Sequence, residues 1–155
     1  MRASVLFVCL GNICRSPLAE AALRREAERL MLDLEVDSAG TGDWHVGRPP
    51  DPRAVAVAAK HGVDITYQRA RQVRAEDFAR FDYIVALDPE NLASLMRIQP
   101  HGAKAKVSLL LDHVEGRAGE PVGDPYYGNE TDFDAAWVDV SLGAEALARR
   151  IAAEA

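Results

Sequence analysis

Residues 3–17 have the sequence ASVLFVCLGNICRSP, and the prediction of the fold starts from this stretch. From Ala3 to Cys9 the residues are apolar or β-branched nearly throughout, which is typical of a strand buried on both faces of a parallel sheet. Gly11 and Asn12 then interrupt the apolar run. Helical periodicity begins after Pro17, a residue that suits the first turn of a helix. The stretch therefore predicts a strand, a tight loop and a helix in direct succession.

The same alternation of strand and helix continues along the rest of the chain. Apolar residues recur on one face of the first helix, at Leu18, Ala22, Leu23, Leu30 and Leu34. Further strands are predicted at Leu34 to Ser38, Tyr83 to Leu87 and Val107 to Leu111. Further helices are predicted from Asp51, as the capping residue, to just before Gly62, from Asp88 to Ile98, and from about Phe133 to the C-terminus.

Strands that alternate with helices predict an α/β fold. We expect a single domain over residues 1–155, with a four-stranded parallel sheet that is doubly wound and carries helices on both faces. Ligands of such folds bind beyond the carboxyl ends of the strands. Because the segment from Cys9 to Ser16 follows the first strand, we expect it at this binding edge.

Charge and apolar content limit the classes of function. The formal net charge of -6 disfavours nucleic acid as a partner, because that binding needs a concentrated basic surface. The first apolar run, Val5 to Leu10, has about a third of the length of a membrane span, so we predict no signal peptide, no membrane anchor and a cytoplasmic protein. The two cysteines, Cys9 and Cys14, are too close for a disulfide that stabilises much, and in a reducing compartment such a pair more often serves chemistry.

The loop between the first strand and the first helix has the composition of an anion site. The backbone N–H groups of Leu10 through Arg15 can converge into a concave nest, which the positive end of the helix dipole reinforces. Gly11 allows a tight turn, and Asn12 tolerates a left-handed conformation while its amide braces the loop. The guanidinium of Arg15 can bind two phosphate oxygens at once.

Cys9 lies at the mouth of this positive field, which favours the thiolate form of its side chain. A thiolate that faces a bound phosphorus atom is a nucleophile, and Ser16 is near enough in sequence to donate a hydrogen bond to the sulfur. The loop lacks the Gly-Lys-Ser/Thr ending of a nucleotide P-loop, so a nucleoside triphosphatase is excluded.

The leaving oxygen of such a reaction needs a proton donor, and Asp124 in GDPYYG is the candidate. Tyr126 and Tyr127 beside it could form walls suited to an aromatic ring. Asp124 can also be interpreted as a turn residue, and the tyrosines, like Trp44, as covers of the core edge. We expect no metal and no cofactor, because Arg15 and the amide nest supply the positive charge and the four histidines have no metal-ligand spacing.

These motifs resemble those of the low-molecular-weight protein tyrosine phosphatases. The match rests on CLGNICRSP near the N-terminus and DPYYG near the C-terminus. The intervening motifs occur in the family's order: VDSAGT at 36–41, WHVGRPPDPRA at 44–54, HG at 61–62 and ARQ at 70–72.

The resemblance implies a role for each matched residue. Cys9 would be the nucleophile, Arg15 the group that stabilises the transition state, and Asp124 the general acid. The other implied contacts are Leu10, Gly11, Asn12, Ile13, Cys14 and Ser16 in the phosphate loop, Ser38 as its support, and Trp44, Tyr126 and Tyr127 around the substrate ring. Cys14 would also trap oxidised Cys9 as a reversible disulfide. The implied partner is a phosphotyrosine-containing protein, acted on by a monomer or weak homodimer.

Two positions depart from the family's pattern. Gln68 stands where the family often has a histidine that braces the phosphate loop. Gly123 stands where many members have an acidic or apolar residue before the general acid.

Three other functions fit the residues less well. A thiol-dependent arsenate reductase needs further cysteines to relay a disulfide, and none follows Cys14. A protein arginine phosphatase favours a small polar residue where this chain has the bulky Ile13. A phosphate-binding module without turnover is disfavoured because nucleophile, cation and acid are all present.

Overall fold

The computed structural model describes residues 2–154. Its strands are β1 (Ala3–Cys9), β2 (Leu34–Gly40), β3 (Tyr83–Ala86) and β4 (Lys106–Leu109). Its α-helices are α1 (Arg15–Arg29), α2 (Pro52–Lys60), α3 (Asp77–Arg80), α4 (Pro89–Ile98) and α5 (Glu130–Glu154). A short 3₁₀ helix, Leu110–His113, follows β4.

The four strands form one parallel sheet in the order β2-β1-β3-β4, which confirms the predicted architecture. The first strand pairs with β2 on one side and β3 on the other, so it lies inside the sheet. Cys9 is opposite Gly40, and Val8 is opposite Ala86. Three strands therefore end together at one edge, with Cys9 between its neighbours.

Successive residues of β1 face opposite sides of the sheet. Val5 and Phe7 belong to the apolar cluster that includes α1, α2 and α5, whereas Leu6 and Val8 belong to a second cluster with α3 and α4. All four side chains are fully buried, and each contributes about 1.5–3 kcal/mol relative to an exposed position. Helices thus cover both faces of the sheet, as predicted.

The boundaries differ from the predicted ones at several elements. The first helix begins at Arg15 and ends at Arg29, so Pro17 is its third residue, where a missing N–H has no cost. The second strand continues through Gly40. The fourth ends at Leu109, and Leu110 and Leu111 pack in a 3₁₀ helix against α5 instead of extending the strand. The last helix begins at Glu130 rather than Phe133, and the short α3 was not predicted.

Among residues 2–154, no helix combines the length and the apolarity that a membrane crossing requires.

Gly143 in α5 provides a test of the packing beneath the sheet. A Cβ at this position would lie 2.4 Å from Cγ of Leu110, which is fully buried. Gly→Ala in an open helix stabilises by about 1 kcal/mol. Here we expect Gly143→Ala to destabilise by about 1–3 kcal/mol in urea unfolding, because the added methyl overpacks the core. In a Leu110→Ala background the same substitution should be neutral or stabilising, and a stabilising effect in the wild type would contradict the packing described.

Candidate active site

The loop from β1 to α1 is tied to its neighbours through its carbonyl groups. The carbonyls of Cys9, Leu10 and Ile13 accept hydrogen bonds of 2.9 Å from the N–H groups of Thr41, Gly42 and Asp51 respectively. Within the described residues 2–154, the N–H groups of residues 11–14 donate to no protein acceptor. A curved backbone with bound carbonyls and available N–H groups at a helix N-terminus is a nest for an anion.

The buried side chain of Asn12 holds this loop in shape. Asn12 has a left-handed backbone with φ of 58°. Its Nδ2 donates to Oγ of Ser16 at 2.8 Å and to Oγ of Ser38 at 3.0 Å, and its Oδ1 accepts from the N–H of Arg71 at 3.0 Å. Gly40 lies close beneath the loop, where a Cβ would be 2.8 Å from the carbonyl oxygen of Leu10. The side chain of Asn12 therefore ties the loop to α1, to β2 and to the backbone at Arg71.

A directed chain of hydrogen bonds reaches the sulfur of Cys9. The hydroxyl of Ser38 donates to Oε1 of Glu20 at 2.8 Å, so its oxygen is free to accept from Asn12. Ser16 Oγ also accepts from Asn12 and lies 3.0 Å from Sγ of Cys9. Because the Asn12 amide donates to it, Ser16 Oγ has its own proton to donate. Sγ of Cys9 at 3.0 Å is nearer to this hydroxyl than its other acceptor, the carbonyl of Ala39 at 3.5 Å, and a hydrogen bond to the sulfur stabilises a thiolate there.

Burial raises the pKa of Glu20, against hydrogen bonds from Ser38 and an ion pair with Arg24. This carboxyl group lies beneath the loop, not in the cleft. Its contact with Ser38 sets the direction of the hydrogen bonds above it.

Arg15 is a buried cation at the start of α1, only 2% exposed. Its Nη1 donates to Oδ2 of Asp88 at 2.7 Å and to the carbonyl of Val122 at 3.0 Å, and its Nη2 lies 3.4 Å from Oδ2 of Asp124. Burial opposes the charge, but Cys9 and the two carboxylates outweigh it and raise the pKa of Arg15. The guanidinium thus stays charged and is held at one end by Asp88.

Asp88 was not among the site residues predicted from the sequence. It caps α4 by accepting from the N–H of Asn91 at 2.7 Å, which fixes its orientation toward Arg15. A usable signal existed, because Asp88 directly follows the predicted third strand. Parallel neighbours end at the same edge, so a carboxylate there is expected near the end of β1.

Asp124 lies beside Arg15 on a loop that follows Val122. The N–H of Val122 donates to the carbonyl of Leu87 at 2.8 Å, which attaches the loop to the end of β3. Oδ1 of Asp124 accepts from the N–H of Tyr126 at 3.1 Å. The Asp124 side chain remains 41% exposed, so it is in contact with solvent.

These groups meet in a cleft of about 400 Å³. Its lining consists of Cys9, Leu10, Gly11, Ile13, Cys14, Arg15, Trp44, His45, Asp124, Tyr126 and Tyr127. The other three predicted residues, Asn12, Ser16 and Ser38, are buried. Sequence reasoning missed His45 as a lining residue, because a lone histidine with no metal-ligand spacing gives no signal of its own.

The aromatic walls differ in how firmly they are placed. The ring of Trp44 covers Gly42, where a Cβ would be 1.9 Å from its Cζ3. Tyr126 packs against the core, and its ring meets that of Tyr127 edge-on at a centroid distance of 4.9 Å. Tyr127 is 95% exposed, so it forms only the outer rim.

Cys14 and Gln68 are both buried near the phosphate loop. Burial raises the pKa of Cys14 far above its ordinary value, with Asp51, Cys9 and Asp124 adding to the rise. Cys14 is therefore a neutral thiol, and both cysteines are free. Nε2 of Gln68 donates to the carbonyl of Pro17 at 3.3 Å, so this side chain supports the first turn of α1.

A family model, a similar sequence and a similar solved structure all point to phosphotyrosine phosphatases. The sequence model of a family described as "Low molecular weight phosphotyrosine protein phosphatase" matches residues 4–155. A protein of that name from Schizosaccharomyces pombe is 45% identical over 139 residues, which cover 88% of each chain. A crystal structure of a protein tyrosine phosphatase from Entamoeba histolytica has a TM-score of 0.93 at 34% identity and covers 98% of both chains.

A solved structure described as a Drosophila arginine phosphatase is also similar, with a TM-score of 0.89 at 35% identity. The match covers 95% of this chain and 96% of the Drosophila chain. The match of the family model over nearly the whole sequence, together with relatives of this identity and coverage, shows that the chain belongs to the low molecular weight phosphotyrosine protein phosphatase family.

Proposed function

We propose that this protein tyrosine phosphatase hydrolyses phosphotyrosine through a phosphocysteine formed on Cys9. One observation carries the proposal: Sγ of Cys9, the guanidinium of Arg15 and the carboxyl group of Asp124 line one cleft around the amide nest. Nucleophile, cation and acid are thus within reach of a single phosphate group.

In the first step the thiolate of Cys9 attacks phosphorus in line with the tyrosine oxygen. The S–P bond forms as the P–O bond breaks, and Asp124 gives its proton to the leaving oxygen. Arg15 and the N–H groups of the nest stabilise the charge on the three equatorial oxygens.

In the second step water attacks the phosphocysteine. The carboxylate of Asp124 takes a proton from the water, and the products are inorganic phosphate and the Cys9 thiolate. The hydroxyl of Ser16, 3.0 Å from the sulfur, stabilises that thiolate as it leaves.

Phosphate binding changes the partners of Arg15. Its Nη1 is held by Asp88 and Val122, whereas its Nη2 makes only the longer 3.4 Å contact with Asp124. A phosphate in the nest competes for Nη2 because the phosphate carries more charge than one carboxylate. Asp124 is thereby released to face the leaving oxygen.

The depth and lining of the cleft favour an aryl phosphate. Cys9 is only 3% exposed, so a phosphate on a short serine side chain reaches it poorly. Ile13, Trp44 and Tyr126 present apolar surfaces on which a flat phenyl ring packs. The similarity to an arginine phosphatase raises phosphoarginine as a second candidate, but bulky Ile13 favours the ring over a guanidinium.

We further propose one catalytic domain over residues 1–155 that acts in the cytoplasm on phosphotyrosine-containing proteins, as a monomer or weak homodimer. Val5 near one end of the chain and Ile151 near the other share one apolar cluster, which supports a single domain. The free thiols of Cys9 and Cys14 suit a reducing compartment.

Replacing the nucleophile tests the covalent step. Cys9→Ser should lower turnover of phenyl phosphate by several orders of magnitude, because a hydroxyl in this nest is a far weaker nucleophile than a thiolate. The wild-type rate should not change with EDTA. The variant should still bind inorganic phosphate, as titration calorimetry can show, since the nest and Arg15 remain. Undiminished turnover would remove Cys9 from the reaction.

Replacing the acid tests the proton transfer. Asp124→Asn should lower kcat for phenyl phosphate by about 10²–10⁴-fold, and the loss should shrink as the leaving group becomes more acidic, as in p-nitrophenyl phosphate. Asp134→Asn is the control, because it removes an exposed carboxylate on α5 that pairs with Lys60. An equal loss for every leaving group would exclude Asp124 as the acid.

Matched peptides test the substrate class. Turnover of phosphotyrosine should exceed that of phosphoserine and phosphoarginine at the same sequence position, measured as kcat/KM from phosphate release. Ile13→Thr should reduce the ratio of kcat/KM for the phosphotyrosine peptide to kcat/KM for the phosphoarginine peptide. A wild-type preference for phosphoarginine would refute the assigned substrate.

A further inference from the structure

Arg53, in the first turn of α2, joins two parts of the active site that are distant in sequence. We propose that Arg53 is a positioning residue for Asp124: it fixes the loop of residues 124–128 to the phosphate loop and so sets where the acid lies. This inference rests on the proposed function, in which Asp124 protonates the leaving group.

On one side Arg53 binds the backbone of the acid loop. Its Nη2 donates to the carbonyl of Tyr126 at 2.9 Å, and its Nη1 donates to the carbonyl of Gly128 at 3.3 Å. Two carbonyls on either side of Tyr127 are thus held by one planar group. Backbone bonds of this kind fix the path of a loop whatever its side chains are.

On the other side Arg53 binds Asp51. Its Nε and Nη2 donate to the two carboxylate oxygens of Asp51, each at 3.0 Å. Burial opposes the charge of Asp51, but hydrogen bonds from the side chain and backbone of Arg53 lower its pKa. The pair is therefore ionic and bidentate, a geometry that a lysine cannot reproduce.

Asp51 in turn contacts the phosphate loop. Its N–H donates to the carbonyl of Ile13 at 2.9 Å, and its side chain caps α2 by accepting from the N–H of Arg53 at 2.8 Å. A continuous path of bonds therefore runs from Ile13 through Asp51 and Arg53 to Tyr126. The path sets the distance between the nest and the acid loop without entering the cleft.

The acid loop has few other attachments. Bonds from Gly128 to Pro125 and from Tyr126 to Asp124 lie within the loop. In the described part of the chain, residues 2–154, the bonds from Arg53 are the only hydrogen bonds that join the backbone of residues 124–128 to another segment. Without Arg53 the loop would depend on the bonds of Val122 to Leu87 and Arg15 just before it, on the packing of Tyr126 and on the long contact between Asp124 and Arg15.

Two aromatic rings keep the guanidinium in place. Its central carbon lies 4.6 Å from the ring centroid of Phe133 and 5.8 Å from that of Tyr126. Both are cation–π contacts, and they add to the bonds that hold the group beside Asp51 and the carbonyls.

The test is a double-mutant cycle read through leaving-group dependence. Arg53→Met should lower kcat for phenyl phosphate by about 10–100-fold, because a displaced acid loses alignment with the leaving oxygen. It should have little effect on p-nitrophenyl phosphate. In an Asp124→Asn background, Arg53→Met should cause no further loss. In the wild-type background, Arg53→Lys should be faster than Arg53→Met but slower than the wild type. Thermal unfolding checks that each variant is folded, and if Arg53→Met does not fold, Arg53→Lys carries the same cycle.

Lys60→Met is the matched control. Lys60 is an exposed cation at the other end of α2 that pairs with Asp134 and Glu130 of α5 without contacting residues 124–128. The Lys60→Met variant should turn over both phenyl phosphate and p-nitrophenyl phosphate at the wild-type rate.

Three outcomes would overturn the inference. One is a loss from Arg53→Met that is equal for both leaving groups, and another is a loss that persists in full without Asp124. The third is a wild-type rate of the Arg53→Met variant with phenyl phosphate, the substrate with the poor leaving group. These results differ from a failure of the proposed function, in which Asp124→Asn alone would lose its leaving-group dependence or Cys9→Ser would remain active.

Discussion

The amide side chain of Asn12 is the contact on which the active site depends. It donates to Ser16 and Ser38 and accepts from Arg71, so a residue in a left-handed conformation is bound to α1, to β2 and to the segment after α2. A loop that must keep its N–H groups free for an anion cannot be stabilised by those groups. It is held instead by its carbonyls and by this one side chain, and the same bonds leave the proton of Ser16 available to Cys9, its nearer acceptor.

The charges around the nest are arranged to tolerate a buried cation. An arginine that is 2% exposed would be costly without partners, and Asp88 and Asp124 provide them. The two carboxylates are not equivalent. Asp88 is fixed by its role as the cap of α4, whereas Asp124 is half-exposed and makes the longer contact. One carboxylate therefore holds the guanidinium permanently, and the other is available for chemistry.

Most of the fold could be predicted from residue patterns, because each strand is a short apolar run and each long helix has an apolar face. Apart from the short α3, which was missed, the errors lie at boundaries. Leu110 and Leu111 continue an apolar run that reads as a strand, but burial against α5 favours a tight helical turn. Leu30 and Leu34 fit the helical pattern of α1 in the sequence, but α1 ends at Arg29 and Leu34 begins β2. The pattern is misleading here because an apolar side chain can pack against the core from a helix, a turn or a strand.

The sequence by itself determined the chemical groups of the site and the local strand-loop-helix geometry, because the apolar periodicity and the Gly-Asn pair act over a few residues. Asp88 and Asp124 lie 73 and 109 residues along the chain from Arg15, which both of them contact. His45 lines the same cleft as Asp124 only because the chain folds. Arg53 likewise reaches Tyr126 across 73 residues. These contacts were decided by the parallel register of the strands and by the packing of α2 beside α5, which bring together segments whose proximity no local pattern encodes.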